Sequence, residues 1–170
     1  MIKMLCPSEM AISAYEIDYD QLYRNGFRGI ILDIDNTLVP HGENASDESV
    51  YLINKMKNTG FNLCIISNND EERVFRFNKN IGLPYVFKAL KPSKKGYTKA
   101  KEILGCSNDK IICIGDQIFT DIAGANRAGM YSILVKPIDP KEPPFVRFKR
   151  LLEKPVFFYL KHVKINLKEV

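Results

Sequence analysis

Four short apolar runs, each giving way to polar or acidic residues, constrain this chain more than any other feature. They are residues 29–34 (GIILDI), 61–67 (FNLCIIS), 110–115 (KIICIG) and 131–135 (YSILV). Each is rich in Ile, Val or Leu, and none alternates cleanly between apolar and polar positions. That is the pattern of strands covered on both faces. Residues 85–87 (YVF), after Pro84, read as a weaker fifth strand. Between the runs the apolar spacing becomes helical. Residues 46–58 carry Val50, Ile53 and Met56 on one face, with Ser46 as a cap. Residues 70–80 carry Val74, Phe75 and Phe77 behind an acidic first turn, as a helix dipole favours. Residues 93–104 close on Gly105, and 119–127 close near Gly129. Strands alternating with helices predict an α/β fold, a three-layer sandwich around a parallel doubly wound sheet.

In such a sheet ligands lie at the carboxyl ends of the strands. The polar residues obey that rule: Asp33 and Asp35 end the first run, Ser67 and Asn68 the second, and Asp116 follows 110–115. A chain of 170 residues suits one domain with a short appendage. We divide it into a helical lead-in (1–27), a core (28–136) and a Pro-rich linker with a basic aromatic tail (137–170). Cys6, Cys64, Cys106 and Cys113 form no C-x-x-C pair, and two histidines are too few to complete a zinc site. They read as small buried hydrophobes in a reducing compartment. The start lacks the apolar region of a signal peptide, and nothing approaches the ~20 apolar residues of a membrane span. The expected location is cytoplasmic, with peripheral attachment at the inner face of the membrane left open.

Asp33-Ile34-Asp35-Asn36-Thr37 places two carboxylates two residues apart where a strand runs out. One can attack phosphorus while the other handles protons. Alone, the string reads equally well as a turn or helix cap. Ser67, Asn68 and Asn69 follow a strand, where a hydroxyl and backbone N–H groups can hold phosphate oxygens, or simply cap a helix. Lys91 before Pro92 can neutralise a phosphoryl group, though such lysines are usually solvated. Asp116 at a strand end, with Asp121 five residues on, suits a hard cation such as magnesium, or an acidic helix start.

The order of these pieces is what specifies a chemistry. With DIDNT at 33–37, Ser67, Lys91-Pro92 and GDQIFTD at 115–121, the chain resembles the haloacid dehalogenase superfamily over residues 28–135. The segments LCPSEMAISAYEIDYDQLYRNGFRGIILDIDNTLVP, SNN, KPSKKG and GDQIFTDIAGANRAGM resemble the YqeG family of small phosphatases in subclass III, related to mitochondrial phosphatidylglycerophosphate phosphatases. The resemblance implies Asp33 as nucleophile and Asp35 as general acid, then base. It implies Ser67, Asn68 and Lys91 on the transferring phosphoryl group. Magnesium would be held by Asp33, Asp116 and the Asp35 carbonyl, with Asp121 and Thr37 just outside. His41 and Gly42 receive no role.

Neither insertion point of that superfamily has room for a cap domain, so the site is expected to be open. Residues 136–170 hold 9 basic and 4 acidic side chains and account for the whole net charge of +5. Within them, 145–164 mixes basic residues with Phe145, Phe148, Phe157, Phe158 and Tyr159, and Pro155 should break or kink any helix there. Such a segment either packs on the core or lies on an anionic membrane. No nucleic-acid partner is expected, because no recognised binding module accompanies the charge. The expected substrate is a phosphomonoester, with a phospholipid head group, phosphatidylglycerophosphate, ahead of a soluble ester. A non-catalytic scaffold is the third reading.

Overall fold

The computed structural model describes residues 2–141 and 144–162. Its centre is a six-stranded parallel sheet formed by β1 (Glu9–Ala11), β2 (Gly29–Leu32), β3 (Asn62–Ile66), β4 (Tyr85–Val86), β5 (Ile111–Gly115) and β6 (Tyr131–Val135). The strand order is β1-β6-β5-β2-β3-β4, and every neighbouring pair is parallel. From β2 the chain winds one way through β3 and β4, then returns to β5 on the other side. The reversal between β2 and β5 opens a crevice at their carboxyl ends.

Each strand serves two cores, which is why the apolar runs show no alternation. Ile30, Leu32, Leu63, Ile65, Ile112 and Ile114 point to one face, where they meet α1 (Tyr19–Arg24), α2 (Asp47–Thr59) and α3 (Glu71–Asn78) through Leu22, Leu52, Ile53, Met56, Val74 and Phe77. Ile31, Cys64, Ile66, Ile111 and Cys113 point to the other, against Tyr97, Ala100 and Leu104 of α4 (Lys94–Leu104) and Ala125 of α5 (Ala123–Ala128). A fully buried aliphatic side chain is worth about 1.5–3 kcal/mol, so this double layer dominates stability. Ser46 caps α2 as expected, accepting from Ser49 N, and Asp70 caps α3 by accepting from Arg73 N. Gly60, Gly105 and Gly129 end α2, α4 and α5 at positive φ.

Two expectations change. The lead-in is not simply helical: β1 forms the sheet edge, with Glu9 to Ala11 beside Ile133 to Val135 and Ser8 bonded to Ser132. Three residues are too few to show a period. The tail forms a helix, α6 (Pro144–His162), that runs through Pro155. Proline there leaves the Leu151 carbonyl without its helical donor, but Leu151 and Pro155 are both exposed, so water can replace it.

Packing between α4 and α5 leaves no room at Gly124, where a Cβ would collide with the Tyr97 ring. Gly124→Ala should lower stability by about 1–3 kcal/mol, read from the urea unfolding midpoint.

Candidate active site

Neighbouring strands β2 and β5 bring the first two acids together. Asp33 N donates to Ile114 O (3.1 Å), so Asp33 leaves the sheet beside Asp116, which follows β5. After Asp35 the chain turns through Asn36 at φ 62°, with Asn36 N bonded to Val39 O (2.7 Å). Asparagine tolerates this left-handed conformation. The turn carries Thr37 back between the acids, its Oγ1 lying 3.3 Å from Asp33 Oδ2 and 3.4 Å from Asp116 Oδ1.

The buried ammonium of Lys91 donates to Asp33 Oδ1 (2.5 Å) and Asp121 Oδ1 (2.6 Å). Asn68 fixes its backbone: Oδ1 accepts from Lys91 N (2.7 Å) and Nδ2 donates to Lys91 O (3.2 Å). Both polar ends of the Asn68 side chain therefore engage the Lys91 backbone. Ser67 is buried, with Oγ accepting from Asn69 N and Nδ2. Asp121 reaches Lys91 because Ile118–Ile122 forms a widened π turn, as often occurs at functional sites. Its Oδ2 accepts from Gln117 N (3.1 Å). The carboxylate lies over Gly115, where a Cβ would stand 2.5 Å from it. The G-D-Q sequence thus needs glycine for space, not for conformation.

Asp35 points to a different set of donors. Its Oδ1 accepts from Gly42 N and Arg73 Nη2, both at 2.8 Å, and its Oδ2 accepts from Asn69 Nδ2 (2.5 Å). Burial pushes this carboxyl up, but the Gly42 and Arg73 bonds outweigh it and hold the carboxyl below its ordinary range. Asp35 is therefore ionised in this arrangement. Arg73 is itself buried, and its Nε and Nη1 have no acceptor.

Charge is concentrated on the other side. Among the described residues, oxygens of Asp33, Asp116 and Asp121 lie within 4.8 Å of one another, all buried. Burial pushes Asp33 up to about 7 although Lys91 pulls it down. Asp116 is raised by burial, then by Asp33 and Asp121, with Arg150 opposing. Burial would lower the Lys91 pKa, but Asp121 and Asp33 overcome that and raise it, so the lysine stays charged. A set of oxygen donors with surplus negative charge fits a hard divalent cation.

No cap domain is inserted after β2 or β3, but the site is not open on every side. Helix α6 lays Arg150 across Asp116: Nη1 donates to the Asp116 carbonyl (2.6 Å), and Nη2 pairs with Oδ2. Glu153, also buried, accepts from Ile118 N (2.7 Å) and from Arg150 Nη1 (3.2 Å). The tail was read for its aromatic and basic composition, and that reading assigned no part to Arg150 or Glu153. Arg73 carries no signal in the motifs, and Asn69, expected near phosphate or in a cap, instead bonds Asp35. A lone Glu among basic residues, in a helix otherwise cationic where exposed, is the signal that could have marked Glu153 as inward-facing. Asn69 lies just before the Asp70 cap and Arg73 in the first turn of α3, and no local signal places either beside Asp35.

A family model described as haloacid dehalogenase-like hydrolase matches residues 30–89, and one described as HAD-hydrolase-like matches 89–137. The Bacillus subtilis protein named probable phosphatase YqeG is 34% identical over 160 residues, covering 94% of this chain and 93% of that one. Phosphatidylglycerophosphate phosphatase 1 of Arabidopsis thaliana, named as chloroplastic/mitochondrial, is 30% identical over 148 residues, 81% of this chain and 42% of that one. Among solved structures, the HAD-hydrolase YfnB of Bacillus subtilis, bound to magnesium, is similar at a TM-score of 0.51. It has 15% identity and covers 76% of this chain and 98% of that one, a likeness of fold.

Because folding raises the Lys91 pKa, the stabilisation from its charge is fully present below the pKa of an unfolded lysine. Removing it strands buried carboxylates. Lys91→Met should cost about 3–5 kcal/mol at pH 8 in chelator. The loss should shrink toward pH 5 as Asp33, raised by burial to about 7, takes up a proton. Urea unfolding at the two pH values measures both.

Proposed function

This chain belongs to the family of the probable phosphatase YqeG within the haloacid dehalogenase-like hydrolases, and we propose that it is a magnesium-dependent phosphomonoesterase acting through an aspartyl-phosphate on Asp33. The observation carrying this reading is the Lys91 ammonium set between Asp33 and Asp121, with Asp116 alongside.

Lys91 occupies Asp33 Oδ1, which leaves Oδ2 to attack phosphorus. The new Asp33–phosphorus bond forms as the ester P–O bond breaks, and the alcohol takes a proton from Asp35. Asp35 then removes a proton from water, whose oxygen attacks the aspartyl-phosphate and frees Asp33 and inorganic phosphate. Ser67 and Lys91 contact the phosphoryl oxygens. Asn68 contributes by fixing Lys91 and through its main-chain N–H. Thr37 and Asp121 orient Asp33 and Lys91. Asp33, Asp116 and the Asp35 carbonyl would hold magnesium, which would neutralise charge on the phosphoryl group.

For its acid step Asp35 must gain a proton and turn from Arg73 toward the leaving group. Arg73 then loses its carboxylate partner while its Nε and Nη1 still have no acceptor. A leaving group with its own negative charge would restore the balance. That favours phosphatidylglycerophosphate, whose phosphodiester lies beyond the monoester, over a neutral sugar or alcohol phosphate. The same name is borne by the Arabidopsis relative. A soluble phosphate ester is the alternative. A scaffold without turnover is disfavoured because Asp33, Asp35, Lys91 and Asp116 are all present.

Helix α6 adds a reason to favour a lipid. Phe148, Leu151, Leu152 and Phe158 are each at least half exposed. Arg147 and Lys154 are exposed beside them, while the acid Glu153 faces inward. A helix face of this kind suits an anionic bilayer surface. Among the described residues no helix is long and apolar enough to cross a membrane, so contact would be peripheral. The part of the 145–164 expectation that falls on residues 163 and 164 lies outside the described residues.

Asp33→Asn should release no phosphate from any ester; turnover at the native rate would refute the nucleophile assignment. Asp35→Asn should lose about 10²–10⁴ in rate while still binding substrate. A panel of esters, run with magnesium and with chelator, should show highest kcat/KM for phosphatidylglycerophosphate in vesicles. Leu151→Asp with Phe158→Asp should weaken flotation with anionic vesicles and leave turnover of a soluble ester unchanged.

A further inference from the structure

We propose that α6 is a helical lid and that Arg150 is a phosphate-binding residue carried on it. Arg150 rests on Asp116 until a divalent cation takes that carboxylate, and then turns to the phosphoryl group of the bound ester. The inference rests on the cation site and phosphate pocket argued above, and it concerns a helix that lies wholly beyond residues 30–137, the stretch matched by the family models.

The lid is built to register one side chain. Glu153 is 1% exposed and accepts from Ile118 N at the start of the π turn, while its other oxygen takes Arg150 Nη1. Val156 packs on the cluster of Ile118, Ile122 and Leu134. Upstream, Ile138 N and Asp139 N donate to Asn36 O and Oδ1, tying the approach to the loop that follows Asp33. These contacts leave the guanidinium little choice but the mouth of the crevice. There it meets the Asp116 carbonyl and Oδ2, while Thr37 lies near Oδ1.

Asp116 is 2% exposed and shares its surroundings with two more carboxylates, so it requires a positive partner. Arg150 supplies one. A divalent cation on Asp116 would set two positive groups against each other across one buried carboxylate, and their repulsion would loosen Arg150 from Oδ2. The cation therefore weakens the hold of α6. An incoming phosphoryl group reverses the sign, since its outer oxygens carry negative charge toward the side from which Arg150 approaches. Lys91 cannot serve there, being fixed between Asp33 and Asp121 on the opposite side. Guanidinium is also the better fork for phosphate oxygens. Metal and α6 thus oppose each other, phosphate and α6 support each other, and each coupling is reciprocal.

The test uses the full chain and reads binding, not turnover. Trypsin cleavage after Arg147 and Arg150 should be slow in chelator, faster with magnesium, and slow again with magnesium plus inorganic phosphate. By titration calorimetry, Arg150→Gln should bind magnesium about tenfold more tightly than the unsubstituted protein. Its magnesium form should bind inorganic phosphate about tenfold more weakly, with Arg150→Lys recovering part of that loss. In Arg150→Gln, cleavage after Arg147 should no longer respond to phosphate. Unchanged magnesium affinity in Arg150→Gln, or cleavage insensitive to magnesium in the unsubstituted protein, overturns the lid while leaving phosphate release, and hence the phosphatase reading, intact. Failure of the unsubstituted protein to bind magnesium overturns both.

Discussion

Three buried carboxylates at the ends of two neighbouring strands set the terms for the rest of this molecule. Asp33, Asp116 and Asp121 lie too close together to be ionised without compensation. Lys91 answers two of them from one side and Arg150 answers the third from the other. The supporting structure follows from that need. Asn68 holds the Lys91 backbone, a π turn brings Asp121 within reach, and glycine at 115 makes room for its carboxylate. The double apolar core matters here because it keeps β2 and β5 in register, and a strand slipped by one residue would send Asp33 into the wrong layer.

Much of this was legible in the chain because it is written in short segments. Runs such as GIILDI and KIICIG imply strands covered on both faces, and a parallel sheet then puts Asp33 and Asp116 at the same end. The value of Lys91 came from the order of the motifs rather than from its own surroundings, since a lysine before proline is unremarkable. What stayed hidden depends on long-range pairing. Nothing local to Arg150 announces Asp116, 34 positions away, as its partner. Asn69 precedes the cap of α3 and Arg73 lies in its first turn, but their shared partner Asp35 is set by the fold. Strand β1 is too short to carry a period, and its partner β6 lies at the far end of the core. Pro155 misled for a related reason: its effect on a helix depends on whether the released carbonyl meets water, which exposure decides and sequence does not.

The tail is where composition and structure parted most usefully. Packing on the core and facing outward are not alternatives for α6, which presents a separate face to each. Its inner residues Arg150, Glu153 and Val156 meet the site and the core. Its outer residues Phe148, Leu151, Leu152 and Phe158 meet solvent. One helix therefore links the crevice to an exposed apolar face.

Both carboxylates expected to work hardest are held by arginine in this structure, Asp35 by Arg73 and Asp116 by Arg150. Each pairing solves the burial problem of its carboxylate, and the proposed reaction would have to undo both. Protonating Asp35 would release Arg73, and a cation on Asp116 would release Arg150. In both cases the freed guanidinium is left beside the path of an anionic substrate. The charges that stabilise the resting fold and those that would receive the phosphate ester are then the same charges with their partners exchanged. A substrate carrying a monoester and a second negative group would satisfy both arginines at once, whereas one with a single phosphate would leave Arg73 unpaired. Selectivity for a doubly charged ester would thus arise from the same electrostatic demand that organises these buried charges.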